Sequence, residues 1–250
     1  MLDLIDHRVF VPGGKGKGSP HHMVLQPDIS FALGANERIA ITGPSGCGKS
    51  TLLRQIADAA GDEDDGSRPS SISVNAGSVH FLPQCDFLFP WYNARDNFCY
   101  WLSRDLDEGS ADFELAKALL LEKHITKGYE QLSGGQRQRV ALWIALCSDA
   151  KLLLLDEPFT ALDISTKMAC LNLLSNWLDS GSRSLLLASH DFDILTYLCD
   201  KVIILPRDET GTIEVLEFNP PRHETLLGYR ERRDRGDFSV LWKTLLPPSN

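Results

Sequence analysis

Five short, uninterrupted apolar runs constrain the fold of this 250-residue chain more than any other feature of its sequence. They fall at residues 39–42, 79–82, 152–155, 185–188 and 202–205, and most are followed by a stretch with helical character. Continuous apolar runs, unlike alternating ones, indicate strands buried on both faces, as in a parallel sheet covered by helices. We therefore predict an α/β fold with a mostly parallel central sheet, whose ligands bind beyond the carboxyl ends of its strands.

Two other parts of the chain follow different patterns. Before residue 39 the apolar residues alternate, as around Ile29, which is typical of strands with one buried face. Residues 86–130 lack a strand run, begin with a dense aromatic cluster and carry helical patches at 94–102 and 113–122. We interpret this second part as a helical insertion.

Three segments are predicted to lie outside this framework. The glycines and the proline of residues 13–20 predict a flexible hairpin tip, while the acidic stretch 61–71 predicts a solvated loop. The arginines among acids in residues 206–250 favour a solvated helix face over a membrane-surface or regulatory role.

The composition excludes several classes of protein. With 34 acidic and 25 basic residues the formal net charge is −9, which argues against a general nucleic-acid binder. The chain has neither a run of about 20 apolar residues nor a signal-peptide start, so we expect a soluble, cytoplasmic protein. Its six cysteines form no C-x-x-C pair and lack close histidines, which argues against disulfide frameworks and zinc sites.

A phosphate-binding motif follows the first buried strand. The segment GPSGCGKST fits G-x-x-x-x-G-K-[ST] and precedes a predicted helix, so a glycine-rich turn that binds nothing is disfavoured. Its glycines let backbone N–H groups face a phosphate, and the helix N-terminus adds a partial positive charge. We expect Lys49 to bridge the β- and γ-phosphates and Ser50 to hold Mg²⁺. The predicted nucleotide-binding residues here are Gly43, Pro44, Ser45, Gly46, Cys47, Gly48, Lys49, Ser50 and Thr51.

Two carboxylates end the buried run at 152–155. Asp156 is placed to bind a phosphate-bound Mg²⁺, and Glu157 to polarise a water for attack on the γ-phosphorus. Alone, such a strand end would be an ordinary loop entry. About a hundred residues after a phosphate loop, it indicates a catalytic pair.

A second helix start with anion-binding character lies at LSGGQ, residues 132–136. Ser133 is a predicted N-cap, and Gly134 and Gly135 expose backbone N–H groups. A merely well-capped helix explains the serine but not two consecutive glycines, which cost about 1 kcal/mol each relative to alanine. We expect this helix end, including Gln136, to serve a nucleotide held by a partner chain.

These motifs, with Gln84, Ala161-Leu162-Asp163 and His190, occur in the order found in ATP-binding-cassette (ABC) ATPases, which the chain resembles over residues 1–205. The resemblance implies a P-loop NTPase fold with a mostly parallel sheet, an antiparallel β-subdomain and a helical subdomain, all in one domain. The implied parts are the β-subdomain at 1–38, the ATP-binding core at 39–84 and 132–205, the helical subdomain at 85–131 and a short tail at 206–250.

The resemblance also implies roles for single residues. Gln84 would reach Mg²⁺ and the attacking water while sensing a membrane subunit, which gives a metal set of Ser50, Gln84 and Asp156. His190 would act on the γ-phosphate, and Asp163 would link two sites across a dimer. The implied partners are a second nucleotide-binding subunit, a permease at the cytoplasmic face of the membrane and, through the permease, an extracytoplasmic solute-binding protein.

Within the family, the segment at 87–97 resembles the L-P-W-x-N-x-x-D-N stretch of nitrate, sulfonate and taurine importer ATPases, as do LDEPFTALD and the late Pro220-Pro221-Arg222. An importer subunit is therefore predicted. The unusual ADAAGDEDDG after Ile56 and the Pro83 before the glutamine, found in some exporter-type cassettes, leave an exporter as an alternative.

Other functional classes are less consistent with the sequence. Soluble ABC proteins acting on DNA or ribosomes carry long inserts or two cassettes, which this chain lacks, and small-molecule kinases do not need LSGGQ. The aromatic residues at 87–92 could form the groove for a permease helix or pack within the helical subdomain. Phe10 could stack on adenine or be a core residue.

Overall fold

Three sheets and six α-helices form the part of the chain that the computed structural model describes, namely residues 2–7, 10–11, 23–24, 28–61, 71–85, 87–181, 183–207 and 210–218. The strands are β1 (Leu2–His7), β2 (Phe10–Val11), β3 (Met23–Val24), β4 (Ile29–Leu33), β5 (Arg38–Thr42), β6 (Ile72–Val74), β7 (Val79–Leu82), β8 (Leu152–Asp156), β9 (Ser184–Ala188), β10 (Lys201–Ile204) and β11 (Glu214–Glu217). The helices are α1 (Lys49–Ala59), α2 (Ala94–Leu102), α3 (Ala111–Ala118), α4 (Gly134–Cys147), α5 (Ile164–Asp179) and α6 (Phe192–Leu198), with 3₁₀ turns at Glu122–His124 and Tyr129–Gln131.

The central sheet has the strand order β11-β10-β5-β9-β8-β7. The five predicted apolar runs are its five parallel strands, and β11 adds an antiparallel edge. Every residue of β8 and β9 is buried, as the continuous apolar pattern requires of strands covered on both faces. The prediction of an α/β fold with a mostly parallel sheet is confirmed.

A separate antiparallel sheet has the order β4-β1-β6. Ile29 and Leu33 of β4 are buried, whereas the residues between them are partly or fully exposed, which is the half-buried pattern read from the sequence. Strand β6 was not predicted, and it lies within the segment 39–84 that the sequence assigned to the ATP-binding core. The antiparallel layer therefore draws on residues well beyond residue 38.

The helical part packs around α4, whose residues from Val140 to Cys147 are all buried. Its Trp143 stacks on Phe98 of α2 with the ring centroids 4.5 Å apart, and the Trp143 indole N–H donates to the backbone oxygen of Asp112 at 2.8 Å. A buried tryptophan whose polar group is paired contributes a large apolar area without leaving an unsatisfied donor. These contacts fix α2 and α3 to the helix that starts at LSGGQ.

Helix α2 has the bounds that the sequence predicted, but α3 does not. The predicted patch at 113–122 starts at Ala111, because Ser110 caps it by accepting from the Phe113 N–H at 3.2 Å. It ends at Ala118, and Leu120 then adopts a left-handed conformation with φ of 58°. Arg139 donates to the backbone oxygen of Leu119 at 2.8 Å and so satisfies a carbonyl near this helix end.

Several predictions fall on residues outside the described part. The hairpin tip at 13–20, residues 62–70 of the acidic loop and residues 219–250 of the tail all lie there. The described portion of the tail contains the edge strand β11, which the sequence did not predict. Among the described residues, no helix combines the length and the apolar character needed to span a bilayer.

Candidate functional site

The predicted site residues come together because they follow the carboxyl ends of neighbouring parallel strands. In the strand register Asp156 pairs with Ala188, so Glu157 lies beside the segment that leads from β9 to His190. Leu82 of β7 pairs with Leu155 of β8, which brings Gln84 to the same edge. Such an edge is where open α/β sheets bind their ligands.

The phosphate loop between β5 and α1 contains three glycines whose backbone conformations are strained for residues with a Cβ. Gly43, Gly46 and Gly48 have φ angles of 147°, 82° and 102°, in the region that favours glycine. A Cβ on Gly43 would lie 2.6 Å from the backbone oxygen of Leu205 and 3.0 Å from Cys47 Sγ, so this position is also sterically closed. The chain is therefore held in a tight turn at the N-terminus of α1.

Lys49 begins α1 and turns its ammonium group back over this loop. Its Nζ donates to the backbone oxygen of Gly43 at 2.8 Å and to that of Pro44 at 3.1 Å. Ser45 is exposed, and Ser50 and Thr51 continue the first turn of α1. The positive charge of Lys49 and the helix N-terminus thus lie at the same loop, which is the arrangement that binds phosphate.

Asp156 ends β8 with only 3% of its surface exposed. Burial raises the pKa of its carboxyl above the ordinary value, although a hydrogen bond from the Ser50 hydroxyl lowers it, and the charge of Glu157 adds to the rise. Among the buried polar atoms described, Asp156 Oδ1 has no hydrogen-bond partner. A buried carboxylate oxygen with free lone pairs beside a hydroxyl is a donor set that fits Mg²⁺.

Glu157 follows with a left-handed backbone, at φ of 49°. Its Oε1 lies 2.7 Å from His190 Nδ1, and its Oε2 accepts from the Ser189 hydroxyl at 3.4 Å. The Glu157 side chain is largely buried, whereas that of His190 is 68% exposed. The carboxylate is therefore oriented by the segment that follows β9, and the imidazole beside it can reach a ligand above the sheet edge.

The LSGGQ segment forms a reciprocal capping box at the start of α4. The Gln136 N–H donates to Ser133 Oγ at 3.2 Å, and the Ser133 N–H donates to Gln136 Oε1 at 2.9 Å. Ser133 and Gly134 are exposed. Gly135 has a packing reason that sequence reasoning missed, because a Cβ there would lie 2.8 Å from the backbone oxygen of Ala161.

Asp163 is the N-cap of α5. Its carboxylate accepts from the Ser165 hydroxyl at 2.6 Å, the Thr166 N–H at 3.0 Å and the Thr166 hydroxyl at 2.7 Å. These hydrogen bonds hold the pKa of Asp163 far below its ordinary value. In the single chain, the side chain predicted to link two sites therefore serves the helix that follows it.

Gln84 is exposed and lines a cavity of about 370 Å³ between the helical part and the core. Phe87, Gly134, Pro158 and Ala161 also line this cavity. Gln84 therefore lines the same cavity as the start of α4 and the segment that follows Glu157. Phe10 forms β2 through its backbone, but its side chain lies outside the described part, so adenine stacking stays a prediction.

The aromatic residues at 87–92 divide into two groups. Phe87 is buried and stacks on Trp101 at 4.6 Å between centroids, so it packs within the helical part. Trp91 is 71% exposed and contacts Phe89 at 5.1 Å. Tyr100 of α2, 56% exposed, contacts Phe89 at 4.7 Å. We call Phe89, Trp91, Tyr92, Tyr100 and Trp101 the aromatic patch, to which the sequence had not assigned the last two.

Two polar contacts around the site were also missed by sequence reasoning. The Lys167 ammonium pairs with the Asp191 carboxylate at 2.7 Å and joins α5 to the residue after His190. Gln138 of α4 donates from its side chain to the backbone oxygen of Glu157 at 3.0 Å. No short motif predicts either contact, because each joins residues about 20 positions apart through tertiary packing.

Comparison with known proteins gives consistent matches. The protein-family model described as "ABC transporter" matches residues 27–160. The aliphatic sulfonates import ATP-binding protein SsuB 2 of Pseudomonas syringae pv. tomato is 36% identical over 221 residues, covering 86% of each chain. SsuB 1 of Xanthomonas axonopodis pv. citri is 37% identical over 230 residues, covering 85% of this chain and 89% of that one.

One further relative has no assigned cargo. The uncharacterized ABC transporter ATP-binding protein YtlC of Bacillus subtilis is 32% identical over 231 residues, covering 87% of each chain. Among solved structures, the post-hydrolysis dimer of the ATP-binding cassette MJ0796 with ADP and Pi matches with a TM-score of 0.68. It is 24% identical, and the match covers 86% of this chain and 98% of that one, which establishes the likeness in fold.

Proposed function

This chain belongs to the ABC transporter family as an ATP-hydrolysing subunit of an importer, and from that premise we propose a cargo, a catalytic mechanism and an assembly. The observation that carries the mechanism is the juxtaposition of the phosphate loop, Asp156 and Glu157 at one sheet edge. The proposed cargo is an aliphatic sulfonate or a similar small anion, as the names of the SsuB relatives suggest. No observation favours the exporter or the non-transport alternative.

Nucleotide binding is proposed to start at the phosphate loop. The backbone N–H groups of residues 45–51 would surround the β-phosphate, with the partial charge of the α1 N-terminus behind them. The Lys49 ammonium already lies over the loop and would exchange its contacts with Gly43 and Pro44 oxygens for phosphate oxygens. A phosphate anion is the better partner for an ammonium group, because such hydrogen bonds are charge-assisted at both ends.

Ser50, Gln84 and Asp156 would hold Mg²⁺ at the mouth of this loop. The free Asp156 Oδ1 and the Ser50 hydroxyl beside that carboxylate support the assignment. When bound, Mg²⁺ supplies neutralisation of the charge on the β- and γ-phosphates. The buried position of Asp156 fixes its carboxylate toward the loop.

Glu157 is the proposed general base. Its carboxylate is fixed by His190 and Ser189 at the strand edge beside Asp156, so it can accept a proton from a water that attacks the γ-phosphorus. The exposed His190 would contact the γ-phosphate. Because His190 also contacts the Glu157 carboxylate, the presence of the γ-phosphate would affect the position of the base. Gln84 would contact the same water.

The active assembly is proposed to be a head-to-tail dimer with a second copy or a close paralogue. Ser133 and Gly134 are exposed at an N-terminal helix end, where unpaired N–H groups suit a phosphate of the partner's nucleotide. The Ser133-Gln136 box holds that helix end in shape. Asp163 begins α5 at the same face, and its segment would contact the partner.

The aromatic patch is the proposed contact for a permease helix at the cytoplasmic face of the membrane. Trp91 and Tyr100 expose large apolar rings, which is the composition of the energetic centre of an interface. The patch adjoins Gln84 through the buried Phe87, so contact there would be sensed at the nucleotide. An extracytoplasmic solute-binding protein would deliver cargo to the permease.

A reconstituted transporter tests this function. The chain is purified with the permease that it retains from membranes and is incorporated into liposomes loaded with Mg·ATP. The solute-binding protein is added outside the liposomes, and uptake of radiolabelled alkanesulfonate is measured. We expect uptake that requires ATP and is lost in Lys49→Ala. Hydrolysis without sulfonate uptake would contradict the proposed cargo, and absence of ATP hydrolysis in the complex would contradict the mechanism.

A further inference from the structure

Gln138 lies on α4, two residues after the LSGGQ segment, and its side-chain amide binds the residues from Glu157 to Ala161. Its Nε2 donates to the Glu157 backbone oxygen at 3.0 Å and to Thr160 Oγ1 at 3.4 Å, while its Oε1 accepts from the Ala161 N–H at 2.9 Å. The Thr160 hydroxyl in turn donates to the same Glu157 oxygen at 2.7 Å. These contacts form a closed set of hydrogen bonds around residues 157–161.

The backbone of Glu157 needs such support. Its φ of 49° is in the left-handed region, which is unfavourable for a residue with a Cβ and persists only where the surroundings fix it. The Glu157 N–H donates to the backbone oxygen of Ala188 at 2.9 Å, and its carbonyl receives the bonds from Gln138 and Thr160. The peptide groups on both sides of the Glu157 Cα are therefore fixed by hydrogen bonds. In this conformation the Glu157 carboxylate contacts His190.

We propose that Gln138 is a positioning residue that holds Glu157 in its reactive conformation and ties it to the helix that carries LSGGQ. The proposal rests on the proposed role of Glu157 as the general base. Gln138 itself contacts neither the predicted phosphate loop nor Asp156 in the described structure, so it would act on hydrolysis through Glu157 rather than on nucleotide binding.

A second contact supports this connection between α4 and the segment after Glu157. At Gly135 the helix approaches Ala161 so closely that a Cβ would meet the Ala161 backbone oxygen at 2.8 Å. Gln138 lies on the same side of α4, three residues further on, and binds the N–H of Ala161. A displacement of the start of α4 is therefore transmitted to residues 157–161, and hydrolysis becomes sensitive to how LSGGQ is engaged.

Gln138→Met tests the proposal, because methionine keeps the length of the side chain and removes all three of its hydrogen bonds. Single-turnover ATP hydrolysis is measured with the full chain in excess over Mg·ATP and at a concentration well above its Kd, which is measured by displacement of a fluorescent nucleotide. We expect the rate constant to fall at least tenfold while the Kd for ATP changes less than twofold. Gln138→Glu, which still accepts from Ala161 but cannot donate to the Glu157 oxygen, should be impaired to a similar extent.

The double variant separates positioning from a loss of folding. In a Glu157→Gln background the base is already absent, so adding Gln138→Met should change the residual rate less than twofold. Tyr197→Phe is the structural control, because it removes a 3.0 Å hydrogen bond to Asn172 between α5 and α6. It should leave the hydrolysis rate unchanged even where its thermal melting temperature falls as much as that of Gln138→Met.

Three results would overturn the proposal: a rate for Gln138→Met within twofold of wild type, an equal fold loss in both backgrounds, or a matching loss in ATP affinity. If Gln138→Met fails to fold, Gln138→Glu carries the test, because it still loses the donor to the Glu157 oxygen, and a rate there within twofold of wild type refutes the proposal. Near-normal hydrolysis by Glu157→Gln alone would instead refute the proposed base, so the two failures are distinguishable.

Discussion

Replacing Gly135 with alanine tests whether the second glycine of LSGGQ is required by packing within one chain. The new Cβ would lie 2.8 Å from the Ala161 backbone oxygen and 3.4 Å from Leu162 Cδ2, so the helix or the loop must move. Overpacking typically costs about 1 to 3 kcal/mol, and we take the upper part, about 2 to 3 kcal/mol, because the opposing Ala161 oxygen belongs to the backbone. Alanine recovers at most about 1 kcal/mol of helix propensity, so we expect a net loss of about 1 to 2 kcal/mol.

Gly134→Ala is the matched control for this prediction. A Cβ at Gly134 would lie 3.9 Å from Ala161 Cβ, which is an ordinary contact. Alanine there should therefore only stabilise the chain, through its higher helix propensity. Thermal unfolding of both variants without nucleotide should lower Tm by about 2 to 8 °C for Gly135→Ala and raise it slightly for Gly134→Ala. A Gly135→Ala chain as stable as the Gly134→Ala chain would refute the packing argument.

Three further predictions concern sharing of the site, coupling and pH. A mixture of Lys49→Ala and Ser133→Arg chains should recover ATPase activity that neither has alone, because one composite site is intact; no recovery despite proven subunit exchange would count against sharing. Trp91→Ala should keep its melting temperature and basal hydrolysis, since the ring is 71% exposed, but lose stimulation by the reconstituted permease; a drop in both basal properties would retire the coupling role. Burial lowers the pKa of His80 to about 4, so stability is complete above the unfolded value near 6.5 and falls as the pH drops toward 4. Urea unfolding at pH 7 and pH 5 should show a loss of about 1 to 2 kcal/mol that His80→Phe abolishes.

The central sheet could be predicted from sequence because strands that are buried on both faces consist of continuous apolar runs. Strands β6 and β11 could not be predicted by the same rule. β6 has three residues, of which only Ile72 is buried, and β11 lies at an edge with mostly exposed residues. Such strands are held by backbone pairing to a neighbour, and pairing leaves little pattern in the side chains.

The chemistry-bearing residues could be proposed from sequence because each belongs to a local motif whose spacing serves a phosphate or a metal. The hydrogen bonds that orient them could not. His190 Nδ1 meets Glu157 only after β8 and β9 pair, and Gln138 meets the Glu157 oxygen only after α4 packs over the sheet edge. The left-handed φ of Glu157 is likewise set by its tertiary contacts, because glutamate has no local preference for it.

Measuring ATP binding and ATP hydrolysis of Glu157→Gln side by side tests whether Glu157 is the base of an ATPase built on one sheet edge. The carboxamide has nearly the same shape but cannot accept the proton, and a general base contributes about 10²- to 10⁴-fold. We predict an ATP Kd within twofold of wild type and hydrolysis at least about a hundredfold slower. Hydrolysis near the wild-type rate, with ATP bound normally, would show that Glu157 is not the general base.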